Sequence, residues 1–197
     1  MTLAIFLTCG YLLGSLHFAV IVSRAFGLAD PRSYGSGNPG ATNVLRSGNK
    51  LAALLTLFGD AVKGWLAVWL AARYSTDSAL IAGTGLAAFL GHVFPLFLRF
   101  RGGKGVATAL GVLVGLSAWL ALAAALAWLL VALLTRYSSL AALVAAIVAA
   151  IVAWWWLPDA VSAECVSAIS LMLIWRHRGN IGKLLAGTES KIGAKKA

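Results

Sequence analysis

Four long stretches without a single Asp, Glu, Lys or Arg run through the chain, over residues 1–22, 78–98, 105–135 and 137–158. In hydrocarbon a backbone must satisfy its own hydrogen bonds, so apolar runs of about 20 residues cross membranes as helices. The 197 residues include only 16 basic and 6 acidic ones, and 61% are hydrophobic; soluble domains are about a quarter charged. The chain is therefore expected to be all-α, a polytopic membrane bundle forming one domain over 1–197. Residues 1–22 lack a basic start and a small-residue cleavage site, which makes them a retained first span. Cys9 and Cys165 sit in apolar stretches and read as small hydrophobes rather than a disulfide.

Spans are expected at 2–23, 51–73, 79–98, 138–157 and 160–176. Residues 105–135 would make one helix of about 46 Å, too long for a hydrocarbon core of about 30 Å. A turn near Gly115-Leu116-Ser117 splits this segment into two crossings. It also gathers Arg24, Arg32, Arg46 and Lys50, then Arg99, Arg101 and Lys104, then Arg136, then the tail Arg176 to Lys196 on one side. The positive-inside rule favours that arrangement: about seven crossings, N-terminus outside and C-terminus cytoplasmic. Asp77, Asp159 and Glu164 fall on the other side. The net charge of +10 is explained by this bias, and nucleic acid is not expected as a partner.

Three glycine-rich polar islands interrupt the apolar chain, all expected at the cytoplasmic face. They are Gly35-Ser36-Gly37-Asn38-Pro39-Gly40-Ala41-Thr42-Asn43, Arg101-Gly102-Gly103-Lys104-Gly105 and His177-Arg178-Gly179-Asn180-Ile181-Gly182-Lys183. Glycine amides, hydroxyls, amides and cations are anion-binding groups, so a phosphorylated ligand is expected there. Asn38-Pro39 reads as a helix cap followed by proline at the first helical position. Arg46 falls one turn beyond Thr42. The second island joins glycine amides and Lys104 to the positive end of the next helix, though it is not a Walker A motif. A plain Gly-Asn-Pro turn, and lysine and arginine anchoring a span end to headgroups, explain the same residues without function.

His92 lies inside a span, where a histidine either satisfies a buried hydrogen bond or binds a substrate oxygen. His177 and Asn180 share a helix face, as a site pair or an interfacial anchor. Asp60 and Lys63 are an acidic–basic pair well inside a span; such charges face the bundle interior and either line a pocket or pin two helices. His17 is read as structural. The spacing of His17, His92 and His177 defines no metal site, and no cofactor is expected. A carrier of organophosphates is the rival reading, although a carrier needs its site near the midplane.

The chain resembles the bacterial acyl-phosphate:glycerol-3-phosphate acyltransferases of phospholipid synthesis over essentially its whole length. The resemblance rests on Gly35 to Arg46, on Gly91-His92-Val93-Phe94-Pro95 continuing through Phe100 to Thr108, and on His177 to Glu189. It departs from the family pattern at His17 (proline expected), Arg101 (lysine expected) and Lys183 (arginine expected). The resemblance implies a multi-pass protein of the bacterial cell (inner) membrane with seven helices and an active site facing the cytoplasm. It implies transfer of an acyl group from acyl phosphate to the 1-hydroxyl of glycerol 3-phosphate, giving lysophosphatidic acid. The lipid bilayer is the setting, and contact with the enzyme that makes acyl phosphate would follow from the shared intermediate. Ser36, Arg46 and His177 are the implied catalytic residues. Asn38, Thr42, Asn43, His92, Gly102, Gly103, Lys104, Gly105, Thr108 and Asn180 are implied to bind substrate, and Glu189 to order the tail.

Overall fold

The computed structural model describes residues 1–193; the tail residues Lys195 and Lys196 lie outside the described residues. Among the described residues the regular structure is entirely helical. In chain order the α-helices are α1 (Thr2–Ser15), α2 (Phe18–Ala25), α3 (Ala41–Val44), α4 (Lys50–Tyr74), α5 (Ser78–Val93), α6 (Val106–Leu116), α7 (Ala118–Thr135), α8 (Ser138–Trp156), α9 (Ala160–Arg176) and α10 (Arg178–Leu185). Among the described residues five segments are long and apolar enough to cross a membrane: Thr2–Ala25, Lys50–Tyr74, Ser78–Leu98, Ala118–Thr135 and Ser138–Trp156. The shorter α6 and α9 complete the bundle.

Segment 105–135 breaks where expected. Ser117 turns extended, ends α6, and caps α7 by accepting from the Leu120 N–H. Asp77 and Asp159 cap α5 and α9 in the same way. The first span differs from the continuous helix expected over 2–23. Leu16 and His17 are extended between α1 and α2. The break persists because polar groups from other elements take its freed backbone: Lys63 Nζ donates to the Leu16 carbonyl at 2.5 Å.

Helices α1 and α5, α4 and α6, α7 and α8, and α8 and α9 pack as neighbours. With lipid outside there is little hydrophobic drive between helices, so close contact depends on small residues. Gly111 of α6 shows this: a Cβ there would overlap the Ala61 carbonyl and the Trp65 nitrogen of α4. Alanines of α8, including Ala142, Ala146, Ala149 and Ala153, are buried against α7 and α9. Large apolar side chains such as Leu133, Leu134 and Trp155 point outward, as a lipid-facing surface requires.

Candidate active site

Asn43 organises the first island. Its amide nitrogen donates to the Pro31 and Tyr34 carbonyls at 2.6 and 3.1 Å. Its Oδ1 accepts from the Ser36 N–H at 3.0 Å and from Arg46 Nη1 at 3.3 Å. That grip places Ser36 and Arg46 side by side. The expected cap does not form: the helix starts at Ala41, Gly40 is its cap, and Asn38-Pro39 precede it in the loop. At four residues α3 is too short to concentrate a helix dipole, so the charge of this island is Arg46.

The second island turns on Gly105, whose φ of 82° is left-handed and favours glycine. Its backbone is anchored from within the protein. The Gly103 N–H donates to the His92 carbonyl at 3.2 Å and approaches His17 Nε2 at 3.3 Å. Arg176 donates to the Gly102 and Gly103 carbonyls at 3.0 and 3.2 Å. The Gly103 amide is therefore committed to the protein, and Gly102, Gly103 and the buried Thr108 are not in the cavity wall. The residues of this segment that do line the cavity are Lys104, Gly105, Val106 and Ala107, at the start of α6. Amides in a first helical turn have no intrahelical acceptor, and the dipole adds positive potential.

Lys104 donates to Asn180 Oδ1. Burial is the largest cause holding its ammonium down to about 8, against an ordinary 10.5; Lys183, Arg176 and Arg46 push the same way and Glu189 opposes them. His177, just past the end of α9, is buried with Nδ1 at 2.8 Å from the Leu173 carbonyl. A carbonyl only accepts, so Nδ1 carries the proton and Nε2 is left as an acceptor. Burial, chiefly, lowers the imidazole from 6.5 to about 4, so it is neutral at pH 7.

These groups meet around one cavity of about 310 Å³. Ser36, Asn38, Thr42, Asn43, Arg46, His92, Lys104, Gly105, His177 and Asn180 all line it. Beyond this polar end the wall becomes apolar, between α6, α7, α8 and α9, as far as Leu113, Ala149 and Val166. The cavity also takes Asp60, one of the pair expected either to line a pocket or to pin two helices, and Ser138, Ser139, Glu189 and Ser190 from outside the expected binding set. Glu189 accepts from Ser139 Oγ at 2.6 Å and Asn180 Nδ2 at 2.7 Å, while Arg46 donates to Ser190 Oγ at 2.6 Å. Serines at the start of a helix look like ordinary turn residues, so residue type alone does not mark Ser138 and Ser139 as lining a site.

His17 has partners the sequence does not reveal: its Nε2 lies 3.1 Å from the His92 carbonyl, and the two rings meet at a tilt of 52° with centroids 4.5 Å apart. His17, Asp60 and His92 bring ligand atoms within 4.8 Å of one another. A cation of the chain's own already reaches this group, since Lys63 Nζ lies 2.8 Å from Asp60 Oδ1 and 2.9 Å from His92 Nδ1.

A sequence model described as glycerol-3-phosphate acyltransferase matches residues 4–187. The chain belongs to that family. A glycerol-3-phosphate acyltransferase of Laribacter hongkongensis is 64% identical, covering 100% of this chain and 99% of the relative. One of Aromatoleum aromaticum is 60% identical over the full length of both. Among solved structures, the integral membrane glycerol 3-phosphate acyltransferase PlsY in its glycerol 3-phosphate form is similar with a TM-score of 0.93 and 39% identity. That match covers 98% of this chain and 96% of PlsY. The lysophosphatidic acid form of PlsY gives 0.92 and 38% over the same shares. The acyltransferase is thus a multi-pass integral membrane enzyme of phospholipid biosynthesis.

Proposed function

We propose that this acyltransferase takes its acyl group from acyl phosphate and delivers it to the 1-hydroxyl of glycerol 3-phosphate, giving lysophosphatidic acid and inorganic phosphate. The observation that carries this reading is a single cavity with a cationic, amide-lined end and an apolar far end. Two phosphorylated substrates call for several anion-binding groups, and an acyl chain calls for the apolar trench. That the solved relative has glycerol 3-phosphate and lysophosphatidic acid forms supports this acceptor and this product. Lys104 and the first amides of α6 hold a phosphate, and Arg46 with Ser36 faces the second.

The step is direct attack. The 1-hydroxyl oxygen bonds to the acyl carbon, the bond from that carbon to the phosphate oxygen breaks, and the hydroxyl proton leaves on the released phosphate. No covalent acyl-enzyme forms. His177 Nε2 accepts a hydrogen bond from the attacking hydroxyl and orients it, while Asn180 positions Lys104. A group titrating near 4 is a weaker base than a phosphate monoester, whose second pKa is about 6, so substrate phosphate is the better proton acceptor. Positioning and charge stabilisation supply most of the rate.

We further propose seven crossings of the bacterial inner membrane, N-terminus outside, with this cavity opening to the cytoplasm. Four basic clusters on one side support that orientation. Purified protein mixed with acyl phosphate and glycerol 3-phosphate, with no nucleotide or metal added, is expected to form lysophosphatidic acid. Product from acyl-CoA but none from acyl phosphate would refute the donor assignment.

A further inference from the structure

Lys63 and Asp60 lie on α4 with side chains 1% and 3% exposed, and Asp60 lines the cavity. Their arrangement dictates the chemistry of His92. Lys63 Nζ donates to the Leu16 carbonyl at 2.5 Å and forms an ion pair with Asp60 Oδ1 at 2.8 Å. That ion pair lacks hydrogen-bond alignment, since Asp60 Oδ1 has no directed donor among the described residues. The third neighbour of Nζ is His92 Nδ1 at 2.9 Å. Paired with a carboxylate, Lys63 is an ammonium with donors only. His92 Nδ1 also lies 3.5 Å from Asp60 Oδ1, but the ammonium is nearer at 2.9 Å, so Nδ1 is the acceptor and the ring proton of neutral His92 falls on Nε2. Thr108 Oγ1, at 3.2 Å from the same Nδ1, is a second donor to it.

Nε2 is on the side of the ring that faces Gly103, where a Cβ would run into it, and His92 lines the cavity. Among the described residues Nε2 has no hydrogen-bond acceptor. The His92 carbonyl meanwhile anchors the glycine turn through the Gly103 N–H. One residue therefore holds the turn with its backbone and presents a donor beside it with its ring.

We infer that Lys63, held in place by Asp60, is a positioning residue: it fixes His92 as the Nε2–H tautomer so that the ring donates to a substrate phosphate or acyl oxygen next to the glycine turn. This rests on the cavity being the substrate site. It adds that the buried charge pair acts through His92 and is more than a pin between helices. A buried ion pair is weak grounds for stability by itself, whereas a donor misplaced by about 1 Å costs about 10²-fold in rate.

Three measurements test it. ¹⁵N spectra of the wild-type protein in detergent should show His92 protonated at Nε2; protonation at Nδ1 overturns the inference, and this readout needs neither substrate nor variant. Lys63→Met should lower kcat about 10²-fold in the wild-type background and less than about twofold in a His92→Asn background. Equal losses in both backgrounds would mean a merely structural role and overturn it. Lys63→Gln, which keeps an N–H donor, should recover at least tenfold over Lys63→Met; no recovery in a folded protein also counts against it. A failed donor assignment would leave the spectrum unchanged, so the two readings fail separately.

Discussion

Replacing Lys104 by methionine keeps the length and apolar stem of the side chain and removes its charge. The ammonium stands beside the first turn of α6, donates to Asn180, and faces the cavity. A charge-assisted hydrogen bond is worth about 1.5–3 kcal/mol net. At about 1.4 kcal/mol per factor of ten, the KM for the phosphorylated substrate bound there should rise roughly 10- to 150-fold. The same residue predicts a pH signature. Its pKa is held down to about 8, so the positive charge is present below that pH and lost as pH rises through it. Wild-type kcat/KM should then fall about tenfold per pH unit above 8, since this ratio reports the free enzyme. A bound dianionic phosphate stabilises the ammonium, so the alkaline limb of kcat should lie at higher pH. Initial rates of lysophosphatidic acid formation between pH 6.5 and 9.5, with each substrate varied in turn, measure all of this. A variant whose KM values stay within threefold of wild type, or which retains the wild-type alkaline limb, refutes the reasoning.

His177→Gln keeps a hydrogen-bonding group near the Nε2 position and should lose less than about 10²-fold in kcat, with His177→Ala losing more. Because burial holds the wild-type imidazole near 4, an acid limb of kcat/KM at about 6 belongs to the substrate phosphate and should persist in His177→Gln; its loss in that variant would assign the proton to this residue. Ala149→Phe should shorten the acyl trench. Ala149 lies eleven residues along α8 from Ser138, about 16 Å by helical rise, or about 13 bonds of extended chain at about 1.2 Å each, taking a third of the extended reach per residue. Assays with a series of acyl phosphates should show lost turnover of long chains and retained turnover of short ones, and equal loss at every length would contradict it. Gly111→Ala forces α4 and α6 apart and should destabilise the protein by about 1–3 kcal/mol, lowering the unfolding temperature in detergent by several degrees; an unchanged temperature would mean that the close approach carries no weight.

The apolar runs determined the class of fold, because hydrocarbon leaves a chain of this composition little choice but helices. The over-long 105–135 segment, set against a bilayer of fixed thickness, demanded a break, and Ser117 supplies it. The glycine islands were legible as loops rich in anion-binding groups, but a plain turn or a headgroup anchor uses the same residue types, so their role was left open by the sequence. What the sequence could not show was which backbone groups remain free after folding. Gly103 has its N–H taken by His92, so the amides left for an anion belong to Gly105, Val106 and Ala107 at the start of α6. Nor could periodicity disclose that α1 stops at Ser15, for that break depends on Lys63 from α4 satisfying the Leu16 carbonyl. Hydropathy is a sum over neighbours in the chain and can be read along it. Hydrogen-bond partnership joins residues 47, 73 or 75 positions apart, and only the packed helices decide it.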